Sequence, residues 1–239
     1  MLKVFKYTTL FLTAALAATL GTIAHAQHSD IEAGVTGGQL VIEEGILLNS
    51  GEWLFETEFG EGLFPANQTD DPGFEIEGLT PGDFFALEAV GNLQFFDGTS
   101  FTATTGTEAI SIFGNAGPTT VVDGSSILNP FAIVETATAA GLIDDEHVDF
   151  EINGAASGAY LIEFALAAFT DLSGTTPAVD SSDSFFIAFN FGLDEEIFES
   201  AVDSLGIASE VPVPAAWVFL ASGLASLVAG RRLRAKKAA

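Results

Sequence analysis

The sequence contains no cysteine, and it has no lysine or arginine between residues 7 and 230. Without cysteine the chain can form neither a disulfide scaffold nor a thiolate metal site. The long stretch without cationic side chains has no amine for a Schiff base and no guanidinium clamp for phosphate or carboxylate. No glycine-rich loop ends in lysine and no G-x-S-x-G motif occurs. We therefore expect neither nucleotide binding nor hydrolase chemistry.

Charge is segregated along the chain. All 33 acidic residues lie between Asp30 and Glu210, whereas the seven basic residues lie near the two ends, so a formal net charge of −26 becomes −33 for the middle. Such a surface should be repelled by nucleic acid and by anionic membranes. Because 48% of the residues are hydrophobic and 22 are phenylalanine, the composition nevertheless predicts a folded domain rather than an acidic disordered tail.

Residues 1–26 have the pattern of a secretory signal peptide. Lys3 and Lys6 provide a positive start, an apolar stretch follows over residues 9–23, and Ala24 and Ala26 form a small-x-small cleavage site. Gln27 is then the new N-terminus. This pattern predicts export through the Sec translocon and cleavage by signal peptidase.

The C-terminal segment, residues 211–237, has the pattern of a membrane anchor. Residues 213–230 carry no charge, which is just long enough for a transmembrane helix, and Trp217 lies near its outer end. The basic tail should remain cytoplasmic by the positive-inside rule, which gives a type I topology. It consists of Arg231, Arg232, Arg234, Lys236 and Lys237.

The same segment resembles a known sorting signal. The residues that carry the resemblance are Val211, Pro212, Val213, Pro214, Ala215 and Ala216, with Ser222-Gly223-Leu224 inside the apolar run and the basic tail after it. They are similar to the VPxPA variant of the PEP-CTERM sorting signal. The resemblance implies a Gram-negative bacterium that makes exopolysaccharide, removal of the tail by an exosortase, and a mature protein at the cell surface or in the matrix. An ordinary single-pass anchor is the alternative.

Residues 27–210 predict a single, mainly β domain. Short runs rich in Phe, Val, Ile and Thr recur between Gly, Pro, Asn and Asp turns, which favours one antiparallel β-sandwich of the jelly-roll or immunoglobulin-like kind. Phe74 and Ile76 alternate with two glutamates, and Gly91-Asn92 is suited to a tight hairpin. In the run after Gly158, one face of the predicted strand carries Tyr160, Ile162, Phe164 and Leu166. The candidate strands are residues 39–43, 53–59, 84–90, 93–96, 107–113, 131–135, 148–152, 159–169 and 185–191.

One short C-terminal helix is predicted over residues 194–205. Ile197, Ala201 and Leu205 recur at four-residue steps, with Phe198 and Val202 beside them. Asp194 is placed to cap this helix, and the two glutamates after it suit the positive end of the helix dipole.

A candidate metal site follows from the residues around His147. If residues 144–152 form one strand, Val148, Phe150 and Ile152 face one way, and four possible ligands face the other. Imidazole suits Zn, Cu or Ni, and carboxylates add oxygen ligands. Near the new N-terminus, Asp30 follows His28 by two positions, as Asp149 follows His147. The candidate ligands are His28, Asp30, Asp145, His147, Asp149 and Glu151. An exposed strand face that needs no metal is the alternative interpretation.

Short segments of the middle domain resemble a second group of proteins. Residues 28–32, 70–74, 146–151, 157–160 and 184–193 are similar to a PEP-CTERM family placed under zinc-responsive repression. The resemblance implies a β-rich exported protein linked to zinc limitation. Of the histidine-rich positions of that family, only His28 and His147 have a counterpart here.

Calcium is the second candidate ion. Carboxylates are concentrated in residues 144–151, in residues 171–183 and at Asp70-Asp71, although no EF-hand loop or RTX repeat is present. Because so many carboxylates without cationic partners repel one another, we expect divalent cations or salt to stabilise the domain.

These observations favour a non-enzymatic, exported surface protein. One alternative is a surface protein that binds zinc or calcium. The other is a carbohydrate-binding or hydrolytic module, for which Trp53 and Tyr160 are the only Trp and Tyr outside the two terminal segments.

Overall fold

The computed structural model describes residues 30–208 and is almost entirely β. Within this range it contains seventeen strands and one helix. The strands are β1 (Ile31–Thr36), β2 (Gln39–Ile42), β3 (Ile46–Leu47), β4 (Trp53–Glu58), β5 (Gln68–Thr69), β6 (Phe74–Glu77), β7 (Phe84–Ala89), β8 (Gln94–Phe96), β9 (Phe101–Ala103), β10 (Ala109–Phe113), β11 (Thr120–Asp123), β12 (Ile127–Leu128), β13 (Phe131–Thr136), β14 (Ile143–Glu146), β15 (Asp149–Asn153), β16 (Gly158–Phe169) and β17 (Phe185–Phe191). The helix, α1, is Glu195–Asp203.

Three sheets form two layers. The large sheet has eight strands in the order β13-β7-β16-β17-β4-β3, and β8 and β9 extend it beside β16. The four-stranded sheet has the order β14-β6-β1-β2, and the five-stranded sheet has the order β12-β11-β10-β15-β5. Buried side chains from all three sheets form one cluster, the main core, so the two smaller sheets together cover one face of the large sheet. The predicted mainly β architecture is therefore confirmed.

The sheets are mixed rather than purely antiparallel, so that part of the prediction is wrong. Strand β1 pairs with β6, and β4 pairs with β17, in parallel. Parallel strands are typically buried on both faces and read as near-continuous apolar runs. Strand β17 is such a run, since five of its seven residues are buried. The finer assignment to a jelly roll or an immunoglobulin-like fold stays a prediction.

The hairpin expected at Gly91-Asn92 does not form. Both β7 and β8 pair antiparallel with β16, with Ala89 opposite Phe164 and Phe95 opposite Tyr160. The chain therefore continues along the same neighbour instead of turning back. The backbone amides of Val90 and Gly91 both donate to the Glu163 carbonyl, as in a bulge that absorbs extra residues.

The predicted alternation in two strands is confirmed. Phe74 and Ile76 are fully buried, whereas Glu75 and Glu77 between them are exposed. Residues Tyr160, Ile162, Phe164 and Leu166 of β16 all enter the main core. The opposite face of β16 is also buried, however, because α1 and neighbouring loops cover it.

Helix α1 packs on the outer face of the large sheet. Phe198, Ala201 and Val202 contact a second buried cluster that includes Leu54 and Leu161. Ile197 was expected on the same stripe, but its side chain is 52% exposed. Asp194 occupies the N-cap position, yet its side chain makes no capping hydrogen bond. Its carbonyl accepts from the Ile197 amide instead, so the predicted helix is confirmed and its side-chain cap is not.

The predicted signal peptide and the predicted sorting segment lie outside the described residues. Within residues 30–208 no helix is both long enough and apolar enough to cross a membrane.

Phe185 provides a test of the packing of the main core. Its side chain is fully buried and its ring contacts those of Phe55 and Phe164, at centroid distances of 5.7 and 6.1 Å. Phe185→Ala should lower the free energy of unfolding by about 3–5 kcal/mol, because it removes a large core side chain and leaves a cavity. The exposed Ile197→Ala is the control and should change it by less than about 0.5 kcal/mol. Urea unfolding measures both, and equal effects would contradict this description of the core.

Candidate metal centre

The candidate site lies where two chain segments cross between the smaller sheets. Residues 70–73 lead from β5 of the five-stranded sheet to β6 of the four-stranded sheet. Residues 147–148 lead back, from β14 to β15. We call these two segments the crossovers. They lie side by side because β5 pairs with β15 and β6 pairs with β14.

His147 joins the two crossovers. Its Nδ1 donates a hydrogen bond to the Asp70 carbonyl oxygen at 2.8 Å. This bond fixes the ring orientation and, in the neutral imidazole, leaves the Nε2 lone pair available, which is the usual arrangement of a metal-binding histidine. Nε2 lies 3.2 Å from Asp145 Oδ1. A carboxylate is therefore already placed beside the nitrogen that would bind an ion.

Three side chains of the crossovers have the composition of a metal-binding group. Asp70, Asp71 and His147 each offer one ligand atom, and these atoms lie within 4.8 Å of one another. Ligands of a tetrahedral zinc ion, at about 2.0–2.2 Å from the metal, are about 3.5 Å apart. The carboxylates would have to move inwards by roughly 1 Å to bind such an ion, which is a rotamer-scale movement for partly exposed side chains.

Gly73 allows a fourth carboxylate to approach the imidazole. The Gly73 amide donates to Asp30 Oδ1 at 3.1 Å. A Cβ atom at position 73 would lie 2.6 Å from His147 Cε1, 2.9 Å from His147 Nε2 and 2.8 Å from Asp30 Oδ1. Such distances are shorter than real contacts, so a side chain here would displace the imidazole or the carboxylate. The absence of a side chain thus keeps Asp30 and His147 together.

The pKa of His147 reflects these neighbours. Burial lowers the pKa of the imidazole, but the hydrogen bonds to the Asp70 carbonyl and to Asp145 raise it, as do the charges of Asp70 and Asp30. The net result is a pKa above the ordinary value. A raised pKa means that protons compete with a metal ion for Nε2 more strongly than at an ordinary imidazole.

The single strand predicted for residues 144–152 does not exist. Strand β14 ends at Glu146 and β15 begins at Asp149, and Asp145 near the end of β14 has a left-handed φ of 53°. Val148 is still buried, as are Phe150 and Ile152, so the predicted apolar face is confirmed. The predicted ligand face is broken, because the backbone turns from one sheet into the other within it.

The predicted ligands therefore separate into two groups. Asp145 and Asp30 lie beside His147, as described above. Glu151 instead accepts hydrogen bonds from Gln68 Nε2 and from Asn153, and Asp149 lies exposed opposite Phe113. The structure does not bring these two residues into the group formed by Asp70, Asp71 and His147. His28 lies outside the described residues.

Asp70 and Asp71 were considered from the sequence only as oxygen ligands, without a link to His147. They precede His147 by more than 70 positions, and no periodicity connects residues at such a distance. The signal that marks them locally is the Asp-Asp-Pro-Gly turn between two strands. Only the pairing of both neighbouring strands with β14 and β15 brings that turn to the imidazole.

In the acidic segment at residues 171–183, Asp171 begins a tight turn that the Gly174 amide closes. Asp171 accepts hydrogen bonds from the side chain and the backbone amide of Ser173. These bonds, the side-chain one first, lower the pKa of Asp171 to about 2. Its oxygens are thus engaged by its own turn.

A row of carboxylates crosses the exposed face of the four-stranded sheet beside the site. Glu75 on β6 lies opposite Glu32 on β1, the Glu43 amide after β2 donates to the Glu32 carbonyl, and Asp144 follows on β14. These four side chains line one shallow groove. Like charges opposite each other in a sheet are destabilising, and the groove contains no compensating cation among its lining residues.

Trp53, the aromatic residue considered for carbohydrate binding, is half-buried and packs against the main core.

Comparison of the chain with protein-family models, with curated proteins and with solved structures finds no match.

The Glu75 carboxyl group provides a test of whether repulsion within the carboxylate row lowers the stability of the domain. Slight desolvation, followed by the charges of Glu32, Asp30, Asp144 and Asp145, raises its pKa. A carboxyl group with a raised pKa favours the folded state while it is protonated, and it opposes folding once the pH rises through that pKa. Glu75→Gln should therefore raise the melting temperature at pH 7 and leave it unchanged at pH 3. In 1 M NaCl the gain at pH 7 should shrink, because the Debye length falls to about 3 Å. A gain that is the same at every pH and salt concentration would contradict repulsion as its cause.

Proposed function

We propose that the chain is an exported, non-enzymatic surface protein. Support comes from the segregation of charge: a domain without lysine or arginine lies between an N-terminal segment typical of signal peptides and a C-terminal segment similar to the PEP-CTERM sorting signal. In this proposal the Sec translocon and signal peptidase handle residues 1–26. The transmembrane helix at residues 213–230 holds the protein until an exosortase acts at residues 211–216. The mature domain then joins the cell surface or an exopolysaccharide matrix.

The mass of the exported protein tests this proposal. We expect an N-terminus at Gln27 and a C-terminus near Pro214, so that all seven basic residues are lost. Trypsin should then leave the mature protein intact even after denaturation, because residues 7–230 contain no lysine or arginine. The unprocessed chain is the control, since trypsin should cut it only near its ends. A mass that includes the basic tail would mean a plain membrane anchor instead.

A second function, binding of a divalent metal ion, is favoured by a specific observation. This observation is the group formed by Asp70, Asp71 and His147, with the imidazole oriented by the Asp70 carbonyl. One imidazole nitrogen with carboxylate oxygens is a donor set suited to zinc and similar ions, whereas calcium prefers oxygen ligands alone. We therefore expect Zn²⁺ to bind more tightly than Ca²⁺.

Calorimetric titration of the exported protein with ZnCl2 and CaCl2 tests metal binding. His147→Asn places an amide near the position of Nδ1, so it can keep the hydrogen bond to the Asp70 carbonyl while it removes Nε2. This variant should lose at least about 10-fold in zinc affinity. Gly73→Ala keeps every ligand but should weaken binding as well, since second-shell changes typically cost about 10–100-fold.

Asp149→Asn is the matched control for these variants. It removes a carboxylate two positions from His147 that lies outside the ligand group, so its zinc affinity should equal that of the unmodified protein. Equal affinity of the His147→Asn variant and the unmodified protein would exclude His147 as a ligand.

A further inference from the structure

The two crossovers interrupt what is otherwise one antiparallel ribbon. On one side, Gln68 and Thr69 of β5 pair with Glu151 and Phe150 of β15. On the other side, β6 and β14 pair with nearly the same register, since Ile76 lies opposite Ile143. The register shifts by one residue within β14, so that Glu146 lies opposite Phe74. Two strands therefore run together from the five-stranded sheet into the four-stranded sheet, and their ladder stops in between.

The ribbon break, residues 70–73 opposite residues 147–148, contains the candidate ligands. The hydrogen bond from His147 Nδ1 to the Asp70 carbonyl crosses the ribbon break. No ladder pair joins these residues within the described part of the chain. The ladder between the two strands is thus missing where Asp70, Asp71 and His147 meet.

Negative charge also accumulates at the ribbon break. Asp30 and Asp145 approach His147 from the four-stranded sheet, and Asp70 and Asp71 belong to the crossover itself. His147 is the only residue of this group whose side chain can carry a positive charge. Because residues 30–208 contain no lysine or arginine, this accumulation of carboxylates favours a cation from solution.

We propose that a divalent metal ion closes the ribbon break and acts as a structural clamp between the four-stranded and the five-stranded sheets. The inference rests on the metal binding proposed above and adds the role of the ion. Ligands from both crossovers, bound to one ion, replace the missing ladder bonds and remove the repulsion between Asp70 and Asp71. Without the ion, the crossovers open locally while the main core keeps the layers together. The free energy of metal binding then stabilises the closed conformation of the two crossovers.

Hydrogen exchange of the exported protein, followed by peptic digestion and mass spectrometry, tests the clamp. Exchange is measured in EDTA and in a saturating concentration of ZnCl2. Some amides can exchange only when the crossovers open and release the ion. The protection of these amides increases in proportion to the metal concentration. We expect at least about 10-fold slower exchange in peptides covering residues 70–73 and 146–149. Peptides from β11 and β12, which lie far along the five-stranded sheet, are the internal control and should change less.

The His147→Asn and Asp149→Asn variants distinguish the structural role of the ion from metal binding itself. His147→Asn should lose both zinc binding and the zinc-dependent protection, whereas Asp149→Asn should keep both. Zinc binding by calorimetry without slower exchange at the ribbon break would overturn the clamp and leave the metal-binding function standing. No zinc binding would overturn both. Protection at the ribbon break that persists in His147→Asn would also overturn the clamp, because the ion would then act elsewhere.

Discussion

Residues 30–208 contain no lysine or arginine, so the carboxylates of this domain need other groups to balance their charge. Carboxylates in most proteins are balanced by lysine or arginine, but here they depend on backbone amides, hydroxyl groups and one imidazole. Asp97, Asp123 and Asp171 each accept several hydrogen bonds from the serine and threonine residues of their own turns. These bonds lower the pKa of Asp123 and of Asp171 to about 2. The turns therefore remain negatively charged at almost any pH the protein meets.

Most of the remaining acids lie outside the core, and Glu56 and Asp83 are the two within residues 30–208 that are buried. Phenylalanine, Ile, Leu and Ala fill both faces of the large sheet, and the two smaller sheets direct their acidic faces outwards. Charge is concentrated in one place, where the four-stranded sheet meets the five-stranded sheet. Glu146, like Glu75, has a raised pKa there, through burial first and then the charge of Glu135. The site around His147 is the part of this acidic region that also contains a nitrogen ligand.

The sequence predicted the orientation of a strand well where one face is exposed to solvent and the other is buried. The alternation of Phe74 and Ile76 with two glutamates predicted the orientation of β6 correctly. The four-residue spacing of Ile197, Ala201 and Leu205 predicted α1, although Ile197 is exposed. Predictions failed where the partner of a segment decides its structure. Gly91-Asn92 has the composition of a tight turn, but β16 is long enough to pair with the strands on both sides of it. Residues 144–152 alternate as one strand would, but two different sheets compete for them.

The candidate site was predicted in part for the same reason. His147 and Asp145 could be identified from local spacing, and so could Asp30. Asp70 and Asp71 join them only through the pairing of β5 with β15 and of β6 with β14, which no local pattern reveals. The carboxylate row has one further consequence. Its outer member Asp144 lies on β14, an edge strand of the four-stranded sheet, where another chain could add a strand. A second copy that docked there would place like charges opposite each other. The same row that costs stability within one molecule thus discourages aggregation between molecules.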